Sequence, residues 1–339
     1  MSHSQSIAYD FVLALLSTCI LVLLIILVLT LFCNKKPVIN QSRDQELLPI
    51  KASATSFPLT NIDAATDGFS RRRVIGEGRL GTLYAAVFER GELVAVKRIH
   101  PRLVLSNAGF GFSTVLKSLS LAQHPNIVQI IGFSEAPGER IIVSEFVGTI
   151  SLEFHLHQNP DGVSLLDWSR RVAIAAGAAR GLEYLHEGVA PNIVHGCVKP
   201  SNILIDENFV ARVCDYGLTF LGPRERRGLV GYLDSEYWGE RSGGASKESD
   251  VYGFGVVLLE ILSGRRCEEG LVVKWGLPLI REMRLNEFLD PRLGIPPNVK
   301  PLVRLAKVAL ACVGNSRKSR PSIGQVATIL SSLETEVCL

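Results

Sequence analysis

The stretch that organises the rest of this chain is His195-Gly196-Cys197-Val198-Lys199-Pro200-Ser201-Asn202. It follows a helical pattern, rich in alanine, that ends at Leu185-His186. It precedes the apolar run Ile203-Leu204-Ile205, which has the composition of a short buried strand. The sequence therefore predicts a loop that lies between a helix and a strand.

Three further motifs accompany this loop in a fixed order. Upstream, Gly76-Glu77-Gly78-Arg79-Leu80-Gly81 lies between two β-like runs, and the strand that comes next ends in Val94-Ala95-Val96-Lys97. Downstream comes Asp215-Tyr216-Gly217. A glycine pattern alone is weak evidence, because a hairpin without a ligand has the same pattern. Because a strand follows the glycines here, the whole set resembles the signature of protein kinases.

Two segments ahead of the glycines make the resemblance more specific. Phe57-Pro58-Leu59-Thr60 and Ala64-Ala65-Thr66-Asp67-Gly68-Phe69-Ser70 are similar to the start of plant receptor-like serine/threonine protein kinases. The resemblance runs from about residue 57 to residue 333. It implies an α+β, two-lobed kinase-like domain at 58–335, with a small β-rich N-lobe at about 70–147 and a large helical C-lobe at about 148–335.

The N-terminal part of the chain has a different character. Residues 11–32 are an uncharged apolar run of about 22 residues, long enough to cross a ~30 Å hydrocarbon core as one helix. A cleaved signal peptide is the alternative, but residues 1–10 lack a basic region and no small-residue cleavage site follows. Lys35 and Lys36 follow the run, so the positive-inside rule predicts an extracellular 1–10 and a cytoplasmic kinase-like domain. We expect a single-pass protein of the plasma membrane, with the lipid bilayer as a partner and 33–57 as a juxtamembrane linker.

Composition limits the remaining classes of function. The net charge is +3, with acidic and basic residues nearly balanced, so there is no sequence-wide case for nucleic-acid binding. The seven cysteines are odd in number and show no paired spacing. They predict reduced thiols, and neither a disulfide frame nor a zinc site.

The kinase resemblance implies a nucleotide site between the two lobes, where ATP would bind with Mg²⁺. The amides of the glycine-rich turn could approach phosphates, and Lys97 would bind the α- and β-phosphates. Asn202 and Asp215 would be the metal ligands, and Lys199 of the loop is also retained. The residues expected to contact the nucleotide are Gly76, Gly78, Gly81, Leu83, Ala95, Lys97, Ser144 at the gatekeeper position, Glu145, Phe146 and Leu204.

Three positions depart from the kinase pattern. Gly196 and Cys197 replace the Arg and Asp of the catalytic loop, and the lost Asp would have accepted the substrate's proton, a role worth ~10²–10⁴ in rate. The glutamate that pairs with the phosphate-binding lysine falls near Val115, and no Asp or Glu occurs from Leu93 to Ser134. Cys197 as a covalent nucleophile is an alternative, but a packed structural thiol is the simpler interpretation.

The segment after Asp215 supports the loss of catalytic control. No Ser or Thr lies between Thr219 and Ser235, so Tyr232 is the remaining hydroxyl that phosphorylation could use. The resemblance also implies a buried ion pair between Glu236 and Arg320, which would hold the C-lobe together. Asp250 should brace the catalytic loop from a central helix.

The sequence therefore predicts a membrane-anchored pseudokinase. It would bind ATP without turnover and signal by docking partner receptors or cytosolic protein kinases. The alternative is an active serine/threonine kinase that transfers the γ-phosphate of ATP through a divergent site. A single-helix transport or channel subunit is not supported, because the apolar run holds no ionisable residue.

Overall fold

A six-stranded sheet and a helical lobe make up the part of the chain that the computed structural model describes. The described residues are Leu16, Thr18 and 53–338, except 89–90, 107–110, 149, 160–165, 223–227 and 240–243. The chain divides into one unit at Met1–Ile50 and a second at Lys51–Leu339, and the description here concerns the second.

The predicted membrane segment at 11–32 lies outside the described residues, apart from Leu16 and Thr18. Within the described part of the chain, no helix combines the length and the apolar composition that a membrane crossing needs.

The N-lobe is a twisted sheet with two layers of side chains. The strands are β1 (Thr55–Ser56), β2 (Val74–Glu77), β3 (Gly81–Val87), β4 (Leu93–Ile99), β5 (Ile130–Ala136) and β6 (Glu139–Glu145). Their order in the sheet is β1-β5-β6-β4-β3-β2, in which β1 is parallel to β5 and the other neighbours are antiparallel.

Strand β1 begins the folded lobe earlier than the sequence analysis expected. Residues 55–57 were assigned to the linker, but Thr55 pairs with Gly132 of β5 and the Phe57 amide donates to the carbonyl of Phe133. Gly132 permits this close approach, because an added Cβ there would lie 2.5 Å from the Thr55 carbonyl oxygen and 2.3 Å from the Phe57 ring. A glycine on β5 thus makes room for the added strand.

Strand β4 separates core from cleft by simple alternation. Side chains of successive strand residues point to opposite faces, so Val94 and Val96 point one way and Ala95 and Lys97 the other. Val94 and Val96 are buried in a cluster with Ile62 of helix α1 (Leu59–Ala65). The remaining two side chains are thereby directed towards the space between the lobes.

Two short helices cover the cleft side of the sheet, α2 (Pro101–Ser106) and α3 (Phe112–Leu119). Helix α3 buries Phe112, Leu116 and Leu119, and its sequence contains no acidic residue. Val115 is half-buried and packs against the core.

The C-lobe is helical and is built around two long buried helices. Helix α4 (Trp168–Glu183) begins at Asp167, whose side chain accepts a hydrogen bond from the Arg170 amide. Helix α5 (Lys247–Ser263) begins with a capping box between Ser246 and Ser249. The other elements are the two-stranded sheet of β7 (Ile203–Ile205) and β8 (Ala211–Val213), and helices α6 (Leu271–Arg281), α7 (Leu285–Phe288), α8 (Lys300–Cys312) and α9 (Ile323–Cys338).

The ion pair that holds the C-lobe together is not the expected one. Arg320 pairs with Asp234, at 2.5 Å from Nη1 to Oδ2, and not with Glu236. Arg317 also binds Asp234, at 3.0 Å from both carboxylate oxygens. Glu236 accepts the Arg317 backbone amide, at 2.9 Å. Asp234 is 2 % exposed, and its short-range hydrogen bonds with two guanidinium groups explain why it takes the place predicted for Glu236.

Asp234→Asn tests this assignment. The change keeps the shape of the side chain but leaves the buried Arg320 charge without a carboxylate, so we expect a loss of about 3–5 kcal/mol in the free energy of unfolding. Urea-induced unfolding of the full-length chain measures it. Glu236→Gln is the matched control, which should cost less than about 1 kcal/mol. Equal losses in the two variants would show that the assignment is wrong.

Candidate functional site

The main cleft lies between the N-lobe sheet and the C-lobe loops and has a volume of about 770 Å³. The structure brings nearly all the predicted nucleotide and metal residues to its lining: Gly76, Gly78, Gly81, Leu83, Ala95, Lys97, Ser144, Glu145, Asn202, Leu204 and Asp215, together with Lys199 and Cys197. Phe146 is the exception, since it is not among the lining residues and follows the end of β6. The sequence analysis missed the apolar lining residues Val128, Ile130 and Ile142, and also Arg79.

The three glycines of the turn have different roles. Gly81 is required by strand packing, because an added Cβ would lie 2.0 Å from the Arg98 carbonyl oxygen on β4. The Gly78 amide donates to the Gly81 carbonyl at 3.0 Å and closes the hairpin. Contrary to the expectation from the sequence, this amide is therefore not free to bind a phosphate. An added Cβ at Gly76 or Gly78 would have its nearest neighbour at 3.9 Å, an ordinary contact distance, so packing does not require glycine at these two positions.

Lys97 forms an ion pair with Asp215 across the two lobes. Helix α3 offers no carboxylate, and Val115 packs against the core instead. The Lys97 ammonium group therefore binds both oxygens of Asp215. Burial opposes ionisation of Asp215, but the charge and hydrogen bonds of Lys97, together with the charges of His195 and Lys199, outweigh it and hold the pKa of that carboxyl below its usual range.

The backbone of the catalytic loop is fixed by Asp250, as predicted. The Asp250 carboxylate accepts the amides of His195 and Gly196, each at 2.7 Å, and lies 2.8 Å from Nε2 of His186. Asp250 is 2 % exposed, so these hydrogen bonds compensate a buried charge. A helix in the C-lobe core thus determines where the residues of the loop lie.

Cys197 is a packed side chain within this loop. It is buried with Leu229 and Leu233 and with the partly buried Tyr237 and Trp238. Its amide donates to Nδ1 of His195 at 3.3 Å, and its carbonyl accepts from Asn202 at 2.9 Å.

The chemistry of this thiol follows from its burial. Burial raises the pKa of the Cys197 thiol, although the charges of Lys199 and Arg79 oppose the shift. A neutral, packed thiol is a poor proton acceptor and a poor nucleophile. Since the Nδ1 atom of His195 accepts the backbone amide of Cys197, this nitrogen is not available to activate the thiol.

Gly196 cannot be replaced by the usual arginine without a change in the loop. Its φ is +81°, a conformation that glycine adopts readily and other residues do not. An added Cβ would also lie 2.1 Å from Cγ2 of Thr219 and 3.3 Å from Cβ of Ala245. The neighbouring segments therefore occupy the space into which an arginine side chain would extend.

The donors left for Mg²⁺ are few. The side-chain nitrogen of Asn202 donates to the Cys197 carbonyl, which leaves its side-chain oxygen as a possible metal ligand. Both carboxylate oxygens of Asp215 accept from Lys97. Mg²⁺ in such sites takes one or two carboxylates and completes its octahedron with phosphates and water. Among the described residues, no group of three or more His, Cys, Asp or Glu could hold a metal ion. The residues fit a divalent ion poorly as long as Lys97 keeps Asp215.

The remaining hydroxyl that phosphorylation could have used is inaccessible. Tyr232 is buried and donates to Glu260 at 2.5 Å. Burial and the Glu260 charge raise the pKa of this phenol. The structure thus contradicts a role for Tyr232 as an exposed phosphorylation site.

A β-rich N-lobe, a helical C-lobe, and a cleft that holds a strand lysine, a loop asparagine and a half-buried aspartate define the protein kinase fold. The chain belongs to the protein tyrosine and serine/threonine kinase family, since the family model matches residues 69–330.

Known relatives agree with this membership. The Serine/threonine-protein kinase-like protein CCR2 of Arabidopsis thaliana is 37 % identical over 302 residues, which cover 87 % of this chain and 36 % of the relative. Phytosulfokine receptor 1 of the same plant is 34 % identical over 316 residues, covering 88 % of this chain and 30 % of the receptor. The chain thus spans about a third of the length of these relatives.

A solved structure has the same fold. It is the pseudokinase domain of BIR2, an immune regulator of the RLK/Pelle family, and it is 32 % identical with a TM-score of 0.70. The similarity covers 84 % of this chain and 90 % of that chain. The predicted resemblance to receptor-like kinases is therefore confirmed.

Gly196→Ala tests the steric analysis of the loop. We expect a loss of about 2–5 kcal/mol in the free energy of unfolding, because the left-handed conformation and the overpacking against Thr219 add together. Gly138→Ala is the control, since Gly138 has a similar φ of +75° but nothing within 4 Å of an added Cβ. It should lose only about 1–2 kcal/mol in urea-induced unfolding. If both variants lose the same amount, the close packing around Gly196 is not a constraint.

Proposed function

We propose that this protein is a membrane-anchored, receptor-like pseudokinase that binds ATP between its lobes and transfers no phosphate. It signals by docking partner receptors or cytosolic protein kinases. The observation that carries the proposal is Cys197: a buried thiol stands where a kinase places its proton acceptor, in a loop whose backbone is otherwise held as a kinase requires.

The residues that maintain the fold support this interpretation. Asp250 fixes the loop, and Asp234 with Arg320 fixes the C-lobe. These residues are intact, whereas Cys197 and Val115 occupy the positions of two catalytic carboxylates. A protein that acts by binding partners through its surface needs the residues that maintain the fold, but it does not need the catalytic carboxylates.

The alternative, an active kinase, requires some other carboxylate to accept the substrate's proton. Among the described residues, Asp215 and Asp250 are the carboxylates whose charges raise the pKa of the Cys197 thiol. Asp215 is bound to Lys97, and Asp250 is bound to the loop amides and His186. Neither is available as a general base, so we favour the pseudokinase.

The cleft supports binding of ATP. Apolar side chains of both lobes, including Leu83, Ile130 and Leu204, line a space suited to a flat base. Glu145 at the end of β6 accepts the Gln129 amide with its side chain and pairs with Arg212, and its own amide donates to the Gln129 carbonyl at 3.0 Å, which fixes the end of this strand beside the cleft. Lys97 would then contact the phosphates. Asn202 and Asp215 stand at the predicted Mg²⁺ positions, but Asp215 is bound to Lys97.

The apolar N-terminal run and the known relatives support the proposed membrane anchor and partners. The apolar run at 11–32 and the lysines behind it support a single crossing, with the kinase-like domain in the cytoplasm. Relatives include a receptor, and a solved neighbour is the pseudokinase domain of an immune regulator. We propose the plasma membrane as the location and receptor or cytosolic kinases as the partners.

Thermal unfolding of the full-length chain with and without ATP tests nucleotide binding. At one hundred times the Kd, a ligand of the native state stabilises by about 2.7 kcal/mol, which raises Tm by roughly 5 °C for a domain of this size. Lys97→Met should abolish most of the rise, whereas Lys117→Met, an exposed lysine of α3, should not. An unchanged Tm of the wild type at millimolar ATP would refute nucleotide binding.

A further inference from the structure

An arginine of the glycine-rich turn reaches across the cleft. Arg79 is half-buried at the tip of the β2–β3 hairpin and lines the cleft. An added Cβ at Gly222 would lie 2.0 Å from Nη1 of Arg79, so the guanidinium group lies against the backbone of the segment that follows Asp215. The hairpin therefore brings a permanent positive charge from the N-lobe to the C-lobe side of the cleft.

Two lysines share this space with Arg79. Lys97 binds Asp215 directly, and Lys199 lines the same cleft as Asp215 and Cys197. The charge of Arg79 also acts on Cys197. All three cations line the cleft in which a nucleotide would lie, together with Glu77 and Glu269, and among the described residues Asp215 is the carboxylate bound to one of them, Lys97.

The balance of positive and negative charge in this cleft differs from that of the kinase pattern. The kinase pattern places an Asp where Cys197 stands and a Glu where Val115 stands, so this cleft has two negative charges fewer. In an active kinase the excess of carboxylates is offset by bound metal ions, which also neutralise the phosphates. Here the protein's own cations can neutralise the phosphates, and the donors for a metal ion are scarce.

We propose that the cleft binds the polyphosphate of ATP without a divalent cation, and that Arg79 supplies the charge which Mg²⁺ supplies elsewhere. The proposal rests on the proposed nucleotide binding and specifies how the phosphates are held. Arg79 and Lys199 contact the terminal phosphates, and Lys97 contacts the inner ones. Asp215 keeps its ion pair with Lys97 and is not needed as a metal ligand.

Isothermal titration calorimetry of the full-length chain with ATP tests the proposal in two buffers, one with MgCl₂ and one with EDTA. We expect the Kd in EDTA to stay within about threefold of the Kd with Mg²⁺. Adenosine, which lacks phosphates, should bind at least about tenfold more weakly than ATP. These two results need no variant and do not depend on how a substitution folds.

Variants of Arg79 test whether this residue supplies the positive charge that binds the phosphates. Arg79→Ala should weaken ATP binding in EDTA by about tenfold or more, because charge-assisted hydrogen bonds to phosphate are lost. Arg79→Lys keeps the charge without the planar fork and should give an intermediate loss. Arg72→Ala, an exposed arginine of the same lobe, is the control and should bind as the wild type does.

Each contrary result has a definite meaning. ATP binding that requires Mg²⁺ would overturn the proposal and leave the nucleotide-binding function standing. Tighter ATP binding by Arg79→Ala would show that Arg79 blocks the cleft, and equal binding of adenosine and ATP would show that the phosphates are not held. No ATP binding in either buffer would overturn both this proposal and the function on which it rests.

Discussion

The ion pair between Lys97 and Asp215 links the two lobes and determines the electrostatics of the cleft. Helix α3 carries no carboxylate and packs Val115 against the core, and Lys97 binds Asp215, the predicted metal ligand, instead. A buried charge is stable only when paired. The lysine's need for a partner and the metal's need for a ligand therefore compete for one side chain.

The structure separates residues that maintain the fold from residues that perform catalysis. Asp250 and Asp234 are buried and paired, and they hold the catalytic loop and the C-lobe in place. The packing accommodates the residues at positions 196 and 197. Gly196 has no side chain that would clash with Thr219, and the thiol of Cys197 packs in an apolar cluster. A chain can lose its proton acceptor and keep the surface that a kinase presents, because different side chains serve the two purposes.

Most of the fold and the lining of the cleft could be predicted from the sequence, because strand alternation and ordered motifs depend on local spacing. The pairing of Arg320 with Asp234 could not be predicted. Asp234 and Glu236 lie two residues apart, and only the packing of the C-lobe determines which of them contacts Arg320. The burial of Tyr232 likewise depends on a helix distant in sequence. Arg79 was missed because a glycine motif gives no information about where its variable side chains point.

The most direct measurement is transfer of the radiolabelled γ-phosphate of ATP to the chain itself and to a generic protein substrate. A positioned proton acceptor contributes ~10²–10⁴ in rate, and position 197 of this loop holds a buried thiol in place of one. The wild type should therefore give no transfer above that of Lys97→Met. Transfer by the wild type that Lys97→Met abolishes would contradict the account, because it would show that the cleft performs the chemistry without a carboxylate at position 197.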